Sequence, residues 1–429
     1  MPFKLANPAN GCLASWLQED KKGPMSEICT PAIISADDLA RAAEFKVPLA
    51  PEPKRVVVAL SGGVDSAAAA FLLKEAGHEV IGVTLRLAPE SASNGEKPKG
   101  SRCCSADDMT DARQLCDALD IPFYAIDARD RFKETVFDPW VAAYRGGLTP
   151  IPCLACNHQV KFGDLYQTAQ DLDALLATGH YSKIVDYKGH LAIARPADLA
   201  RDQTYYLFGV PQEVVQQLMM PLGGLDKPLV RAIAHRAGIP VFSKPDSQEI
   251  CFVPDGDHGK VVERAGGAMP GGDLVHISGK KLRGHDGIHR FTIGQRRGIG
   301  VGTGEKLYVV DIDPEDQKVV VGPESALQVT KIKAKPPRLQ VPLSAWPAQI
   351  MVQIRARHRA QPAQWSLDDE GALVFEFETP VSAVAPGQAA VAYDGDVLLG
   401  GGMIVGRLDG QMTRSLKESA HYLPVLQNA

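Results

Sequence analysis

The stretch Val56-Val57-Val58-Ala59-Leu60-Ser61-Gly62-Gly63-Val64-Asp65-Ser66 constrains this chain more than any other. A run of β-branched residues ends abruptly in Ser-Gly-Gly, and an alanine-rich helical pattern follows at once and stops at Gly77. That order predicts a buried strand, a tight turn and a helix N-terminus. Backbone N–H groups at such a turn have no helical partner, and with the helix dipole they form an anion site whose usual guest is phosphate. The glycines let the backbone approach that guest closely, and Ser61 and Ser66 add hydroxyl donors. A plain βα turn also accommodates Gly-Gly, so the turn alone leaves both readings open.

From Lys54 strands and helices alternate. Residues 78–87 read as a second buried strand and 122–127 as a third. Helical patterns cover 107–119, 131–144 (interrupted at Pro139) and 159–176, and residues 174–180 read as a strand ending on a glycine. This alternation predicts an α/β fold with a doubly wound parallel sheet, in which ligands sit at the carboxyl ends of the strands. Ser61, Leu85 and Gly179 fall there. Residues 229–237 read as one more helix. After about Pro254 glycines multiply and short alternating stretches such as 273–277, 306–312 and 318–322 appear. From 328 onward, stretches such as 349–354, 372–377, 389–393 and 397–404 continue the pattern. These predict a small β-rich central domain and a C-terminal β-barrel. The expected division is 1–53, 54–255, 256–327 and 328–429. Residues 1–53 read as a flexible extension broken by Pro2, Pro8, Pro24, Pro31, Pro48, Pro51 and Pro53, with one short helix capped by Ser35.

A hydrophobic content of 45% and a charged content of 23% fit a globular protein, and no apolar run reaches membrane-span length. No secretory h-region follows Lys4, so the expected location is cytoplasmic. Net charge is −5, so any nucleic-acid contact depends on local basic patches. Eight cysteines in 429 residues are too few for a disulfide scaffold. Cys153-Leu154-Ala155-Cys156 lies in a loop expected just before a helix, where thiolates are more acidic and more reactive. The pair reads as half a zinc site, as a redox pair, as a nucleophile with a distant partner, or as buried structural thiols. Neither a second CxxC at zinc spacing nor a thioredoxin-like pattern accompanies it. Cys103-Cys104 reads as packing or loop structure, and Cys116 as core.

The string Ser-Gly-Gly-Val-Asp-Ser after a hydrophobic strand resembles the pyrophosphate loop of N-type ATP pyrophosphatases, which adenylate a carbonyl oxygen. The Gly-Lys-Ser/Thr ending of a Walker loop is absent and Lys74 lies too far along the helix to replace its lysine, which favours AMP transfer. More strings in order resemble the tRNA-specific 2-thiouridylases, the sulfurtransferases that thiolate the wobble uridine of tRNA. These are residues 149–157 with Val160-Lys161-Phe162, Ala177-Thr178-Gly179-His180-Tyr181, Arg201-Asp202-Gln203-Thr204-Tyr205-Tyr206-Leu207, residues 246–252, Phe291-Thr292-Ile293-Gly294-Gln295-Arg296-Arg297-Gly298, and Ala385-Pro386-Gly387-Gln388-Ala389. The match spans about residues 54–405.

The resemblance implies a site residue by residue. ATP, with Mg²⁺, would be held by Ala59, Leu60, Ser61, Gly62, Gly63, Val64, Asp65, Ser66, Leu85 and Gly179. Cys251 would receive a persulfide sulfur from a carrier protein or a cysteine desulfurase system and deliver it to C2 of wobble uridine U34. Cys156 would resolve the persulfide by forming a disulfide with Cys251. The tRNA would be contacted by His180, Arg201, Asp202, Gln203, Arg357, His358 and Gln388. Where many relatives read Asn-Pro-Asp, this chain reads Ile151-Pro152-Cys153, which removes an acidic residue from the base-facing position. It also opens a second reading, with Cys153, Cys156 and Cys251 as ligands of a [4Fe–4S] cluster. Residues 353–359 read as a strand that sets Arg355, Arg357 and Arg359 on one face, toward a phosphate backbone. Gln295-Arg296-Arg297 reads as a basic loop of the central domain. Two other classes stay open: another ATP-pyrophosphatase amidotransferase or ligase, and a non-catalytic tRNA-binding protein.

Overall fold

The computed structural model describes residues 34–87, 106–244, 250–253, 256–302 and 304–408. Cys12, Cys29, Cys103, Cys104 and residues 246–249 of the cysteine-bearing string lie outside them.

The first layer is a parallel sheet. Its strands are β1 (Arg55–Ala59), β2 (Glu79–Arg86), β3 (Phe123–Asp127), β4 (Leu175–Thr178) and the short β7 (Leu218–Met219), in the order β3-β2-β1-β4-β7. Val56, Val57 and Val58 of the central strand are fully buried, as expected where helices cover both faces. The strand order reverses between β1 and β4, which opens a crevice beyond their carboxyl ends. Helices α1 (Ala36–Glu44), α2 (Val64–Glu75), α3 (Ala106–Leu119), α4 (Arg129–Phe132), α5 (Asp138–Arg145), α6 (Pro152–Ala155), α7 (Phe162–Asp171), α8 (Gln212–Val215) and α9 (Lys227–Arg236) accompany this sheet. Cys116 of α3 is core, and burial pushes its thiol up to about 12.

Three expectations change. Residues 131–144 are not interrupted at Pro139: a π-helical turn, Lys133–Phe137, joins α4 to α5, and the proline sits in the first turn of α5, where its missing N–H costs little. The 159–176 helix begins earlier, at Pro152, and ends at Asp171, so the CxxC lies inside the helical segment rather than before it. Pro152 starts α6, and a π-helical stretch, Cys156–Lys161, links it to α7. The extension is not a flexible appendage over 34–53. Ser35 caps α1, and Ile34 and Ala42 are buried with Leu229, Val230 and Ile233 of α9. Arg41 pairs with Asp226 at 2.6 Å, and Arg236 donates to the carbonyls of Ala42 and Phe45.

The central unit holds α10 (His258–Gly266) and strands β8 (Gly272–His276), β9 (Lys281–His285), β10 (Tyr308–Asp313) and β11 (Lys318–Gly322), ordered β10-β11-β8-β9. The C-terminal unit closes into a barrel: β12 (Gln328–Ala334), β16 (Leu373–Ser382), β15 (Gln361–Leu367), β14 (Gln349–Gln353), β17 (Ala389–Asp394) and β18 (Val397–Arg407), with β18 returning to pair with β12. A hairpin from the α/β unit, β5 (Lys183–Tyr187) and β6 (His190–Ala194), extends this sheet from β18, and the short β13 (Arg338–Leu339) also pairs with β18. No local pattern reveals that a hairpin of one unit extends the sheet of another.

Candidate active site

The turn at residues 60–66 is held from all sides. Leu60 N donates to Val83 O at 2.8 Å, and Thr84 Oγ1 donates to Leu60 O at 3.1 Å. The chain then turns at Gly62, whose φ of +69° favours glycine and whose Cβ, if present, would lie 2.5 Å from the Asp108 carbonyl oxygen. Gly63 caps α2 without a side-chain bond, leaving the first amides of the helix to an anion. Ser66 Oγ donates to Gly63 O and accepts from Ser61 N, each at 3.1 Å. Ala59, Leu60 and Val64 form the frame of this turn, and Leu85 is buried in β2 beside it.

Lys244 clamps the turn. Its Nζ donates to Gly62 O at 2.9 Å and to the carboxylates of Asp108 at 2.6 Å and Asp111 at 2.7 Å. Burial opposes its charge, but the two carboxylates outweigh that and raise its pKa. Lys244→Met should weaken ATP use about tenfold, since it strands two carboxylates and frees the turn. Steady-state kinetics of pyrophosphate release measures this, and an unchanged ATP dependence would show that Gly62 keeps its turn unaided.

The opposite wall is residues 178–181. Gly179 leaves no room for a side chain: a Cβ would lie 2.6 Å from Ser66 N. His180 Nδ1 lies 2.9 Å from Thr178 Oγ1, and its ring stacks on Phe162 at 6.0 Å. Burial, helped by Lys161, pushes His180 down to about 3, so the ring is neutral at working pH. The Tyr181 hydroxyl donates to Asp65 Oδ1 at 2.9 Å. Lys227, whose side chain is 7% exposed, grips the same carboxylate at 2.6 and 2.8 Å. Lys227 escaped the sequence reading. Asp226-Lys227-Pro228 signals a helix start, yet nothing local points to Asp65.

Among the three thiols in the candidate set, Cys156 is buried, Cys251 intermediate and Cys153 exposed. Cys156 opens the π-helical stretch and belongs to the same buried cluster as Val57 and Leu85. Phe252, next to Cys251, packs edge-on against Phe132, Phe137 and Trp140 and rests on that cluster. Among the described residues no three His, Cys, Asp or Glu side chains gather into a metal-holding group.

His158, one turn from the thiols, is buried, and burial followed by the Arg338 charge pushes it down to about 4. Its ring is thus neutral when folded, while the unfolded ring takes a proton below about pH 6.5. Stability present above that value is lost as pH falls toward 4, by up to ~1.4 kcal/mol per pH unit for this residue. The melting temperature should drop between pH 7 and 5, and His158→Leu should flatten the slope; an identical slope in the variant would exclude His158 as its source.

Three residues of the expected RNA-contact set also bond within the protein. Asp202 pairs with Arg195 and accepts from Thr204 N at 2.9 Å and Thr204 Oγ1 at 2.6 Å. Gln203 Oε1 accepts from Tyr181 N at 2.8 Å, and Gln388 Nε2 donates to Thr149 O at 2.8 Å, tying the barrel to the segment before Cys153. Arg201, Arg357 and His358 are exposed. The strand expected over 353–359 is corrected. β14 ends at Gln353, whose Nε2 donates to the carbonyls of Arg355 and Ala356 at 3.0 Å each and caps a turn. Arg355 is half-buried and donates to Ile293 O of the central unit while Arg357 and Arg359 are exposed, and the three do not share a face.

Comparison with known proteins agrees with this architecture. Family models described as tRNA methyl transferase HUP domain, tRNA methyl transferase PRC-barrel domain and aminomethyltransferase beta-barrel domain match residues 54–255, 259–323 and 329–404. Fold and site define a HUP-type α/β unit carrying two β units. The tRNA-specific 2-thiouridylase MnmA of Rhodospirillum centenum is 45% identical over 83% of this chain and 93% of that protein. The MnmA of Sinorhizobium medicae is 44% identical over 80% and 89%. The chain belongs to the tRNA-specific 2-thiouridylase family. A solved 4-thiouridine synthetase–RNA complex with bound ATP is similar only distantly, at 16% identity over 49% of this chain and 50% of that one, with a TM-score of 0.31. No helix among the described residues is long and apolar enough to cross a membrane.

Proposed function

We propose that the chain uses ATP to adenylate the C2 oxygen of wobble uridine in tRNA and replaces that oxygen with sulfur. The observation that carries this is the stretch 178–181, which joins the two halves of the site: Gly179 abuts the phosphate loop at Ser66, while His180 stacks on Phe162 of the cysteine-bearing helical segment. The turn at residues 61–66 and the helical segment that carries the thiols thus flank residues 179–180. The family models' descriptions speak of methyl transfer, but a phosphate loop and a thiol pair suit adenylation and sulfur delivery better.

The C2 carbonyl oxygen attacks the α-phosphorus of ATP, and pyrophosphate leaves from the amides at the head of α2. Mg²⁺ bound with the triphosphate would neutralise phosphate charge, and Asp65, the carboxylate at the loop held by Lys227 and Tyr181, would face it. A persulfide on Cys251, loaded by a sulfur-carrier protein or a cysteine desulfurase system, attacks C2, and the C–O bond to AMP breaks. Cys156 thiolate then attacks the Cys251 sulfur. The S–S bond to the transferred sulfur breaks, leaving it on C2, and a Cys156–Cys251 disulfide forms for an external thiol to reduce. The burial pattern suits these roles: a reachable Cys251 meets the donor and a shielded Cys156 resolves.

Mass spectrometry of the wobble uridine after incubation with ATP, tRNA and a persulfide or sulfide donor, with and without iron, tests the reading. Thiolated uridine is expected whenever ATP and donor are both present, without iron. Pyrophosphate release with no thiolation of an anticodon stem-loop would favour an amidotransferase or ligase. No pyrophosphate release with tRNA would favour a non-catalytic binder.

A further inference from the structure

We infer that the turn Gly294-Gln295-Arg296-Arg297-Gly298 of the central unit is a phosphate-backbone contact that works jointly with the barrel turn bearing Arg357 and Arg359, forming one basic surface that leads away from the thiols. The inference rests on the proposal above that tRNA is the substrate.

Two turns from separate units are fixed to each other. Arg355, half-buried, reaches out of the barrel turn and donates from Nη2 to Ile293 O at 2.7 Å, immediately before the central turn. Gly294 packs directly on Ala383 of the barrel unit, so close that a Cβ would lie 2.7 Å away. The central turn is also rigid in itself. Gln295 Oε1 accepts from Thr292 N and its Nε2 donates to Arg297 O, each at 3.0 Å, while Gly294 N and Val309 N make backbone bonds at 2.8 and 2.9 Å. Arg283 supports the far side by donating to Ile299 O at 2.8 Å. The side chains of Arg296 and Arg297 are therefore presented from a fixed backbone.

Their charge is unspent. Arg296, Arg297, Arg357 and Arg359 are all exposed, and none makes an ion pair with another described residue, whereas Arg41, Arg55, Arg129 and Arg290 are each matched to a carboxylate. The whole chain carries a net charge of −5, so a run of unmatched guanidiniums across two units is a local departure from the bulk. Guanidinium groups spaced along a surface match successive phosphates through paired N–H donors. The surface is also continuous with the reaction centre. Asn157 of the cysteine-bearing segment donates to Tyr206 O at 3.1 Å, and the neighbouring Tyr205 hydroxyl donates to Ile354 O at 3.4 Å, at the foot of the turn that carries Arg357. A polyanion whose reacting base sits at the thiols would run its backbone past Arg357 toward Arg296. An RNA backbone fits this course; an acidic protein partner would not need continuity with the base pocket.

The test is equilibrium binding of full-length tRNA by fluorescence anisotropy over a salt series, for the full chain and for Arg296→Ala/Arg297→Ala. The double variant should bind about tenfold more weakly near 0.1 M salt, and its log–log salt slope should fall by about 2, one unit per lost phosphate contact. Arg296→Lys/Arg297→Lys should restore most of the slope, because point charge suffices for counterion release. Equal melting temperatures separate this from misfolding. A double variant with wild-type affinity and slope overturns the inference. Thiolation by the wild-type chain is assayed in parallel: if it thiolates tRNA while the variant's slope is unchanged, only this surface fails. If the wild-type chain neither binds nor thiolates tRNA, the substrate proposal fails, and this inference with it.

Discussion

Gly62→Ala should lower ATP-dependent pyrophosphate release by more than about 100-fold while the chain still folds. Two penalties coincide at this residue. The left-handed backbone, φ +69°, costs a side-chain-bearing residue roughly 1–3 kcal/mol. The added Cβ would also lie 2.5 Å from the Asp108 carbonyl oxygen and 2.7 Å from its Cα, backbone atoms that cannot swing aside as a side chain does. The loop must shift, and the amides at the head of α2 then miss the phosphates they should hold. Because the clash arises at a turn beyond the end of β1, the buried strand Val56-Val57-Val58 keeps its packing. Circular dichroism should therefore remain close to wild type, and ATP turnover within a few-fold of wild type would show that residues 61–66 do not grip the nucleotide.

Cys251→Ser should leave pyrophosphate release within a few-fold of wild type and reduce thiolated uridine by at least about 1000-fold, to background. A hydroxyl cannot carry a sulfane sulfur, but it barely alters the packing around Phe252, which rests on Phe132, Phe137 and Trp140. Separation of the two half-reactions is the decisive readout. Loss of both together would mean that Cys251 also shapes the adenylation site, and thiolation at the wild-type rate would remove it from the sulfur path. Cys156→Ser should fail at a later step, accumulating uridine joined to Cys251 through a disulfide, a species that mass spectrometry of the intact complex detects.

The adenylating unit was legible because its signals are local. A β-branched run, a Gly-Gly turn and an alanine-rich helix sit within one stretch, and each element forms for reasons contained in its own residues. A cap signal behaved likewise: Ser35 starts α1 where its side chain accepts from the Asp38 amide. The misreadings came where partners are distant. Residues 353–359 alternate like a strand, yet the Gln353 side chain bends them into a turn. The Pro139 break was overridden by a π-helical turn, which the burial of Val136 and Trp140 against neighbouring core favours. Gln388, in a string that resembles an RNA-contact motif, also donates to Thr149 O, 239 residues away, a bond that no local pattern encodes.

The sequence by itself determined the α/β unit with its phosphate loop, the β character of the two following units, and the family to which Cys156 and Cys251 point. Only the tertiary structure decided that Lys227 and Tyr181 hold Asp65, that Lys244 clamps Gly62, that Cys153 and Cys156 ride within a helical segment, and that Arg355 fastens two basic turns into one surface. Strand, turn and cap preferences act over a few residues and leave their mark in composition and spacing. Ion pairs, steric limits on a glycine and the direction of an arginine depend on atoms brought together from distant parts of the chain, Arg355 and Ile293 being 62 residues apart and Asp65 and Lys227 162, and no local pattern encodes which partner will be there.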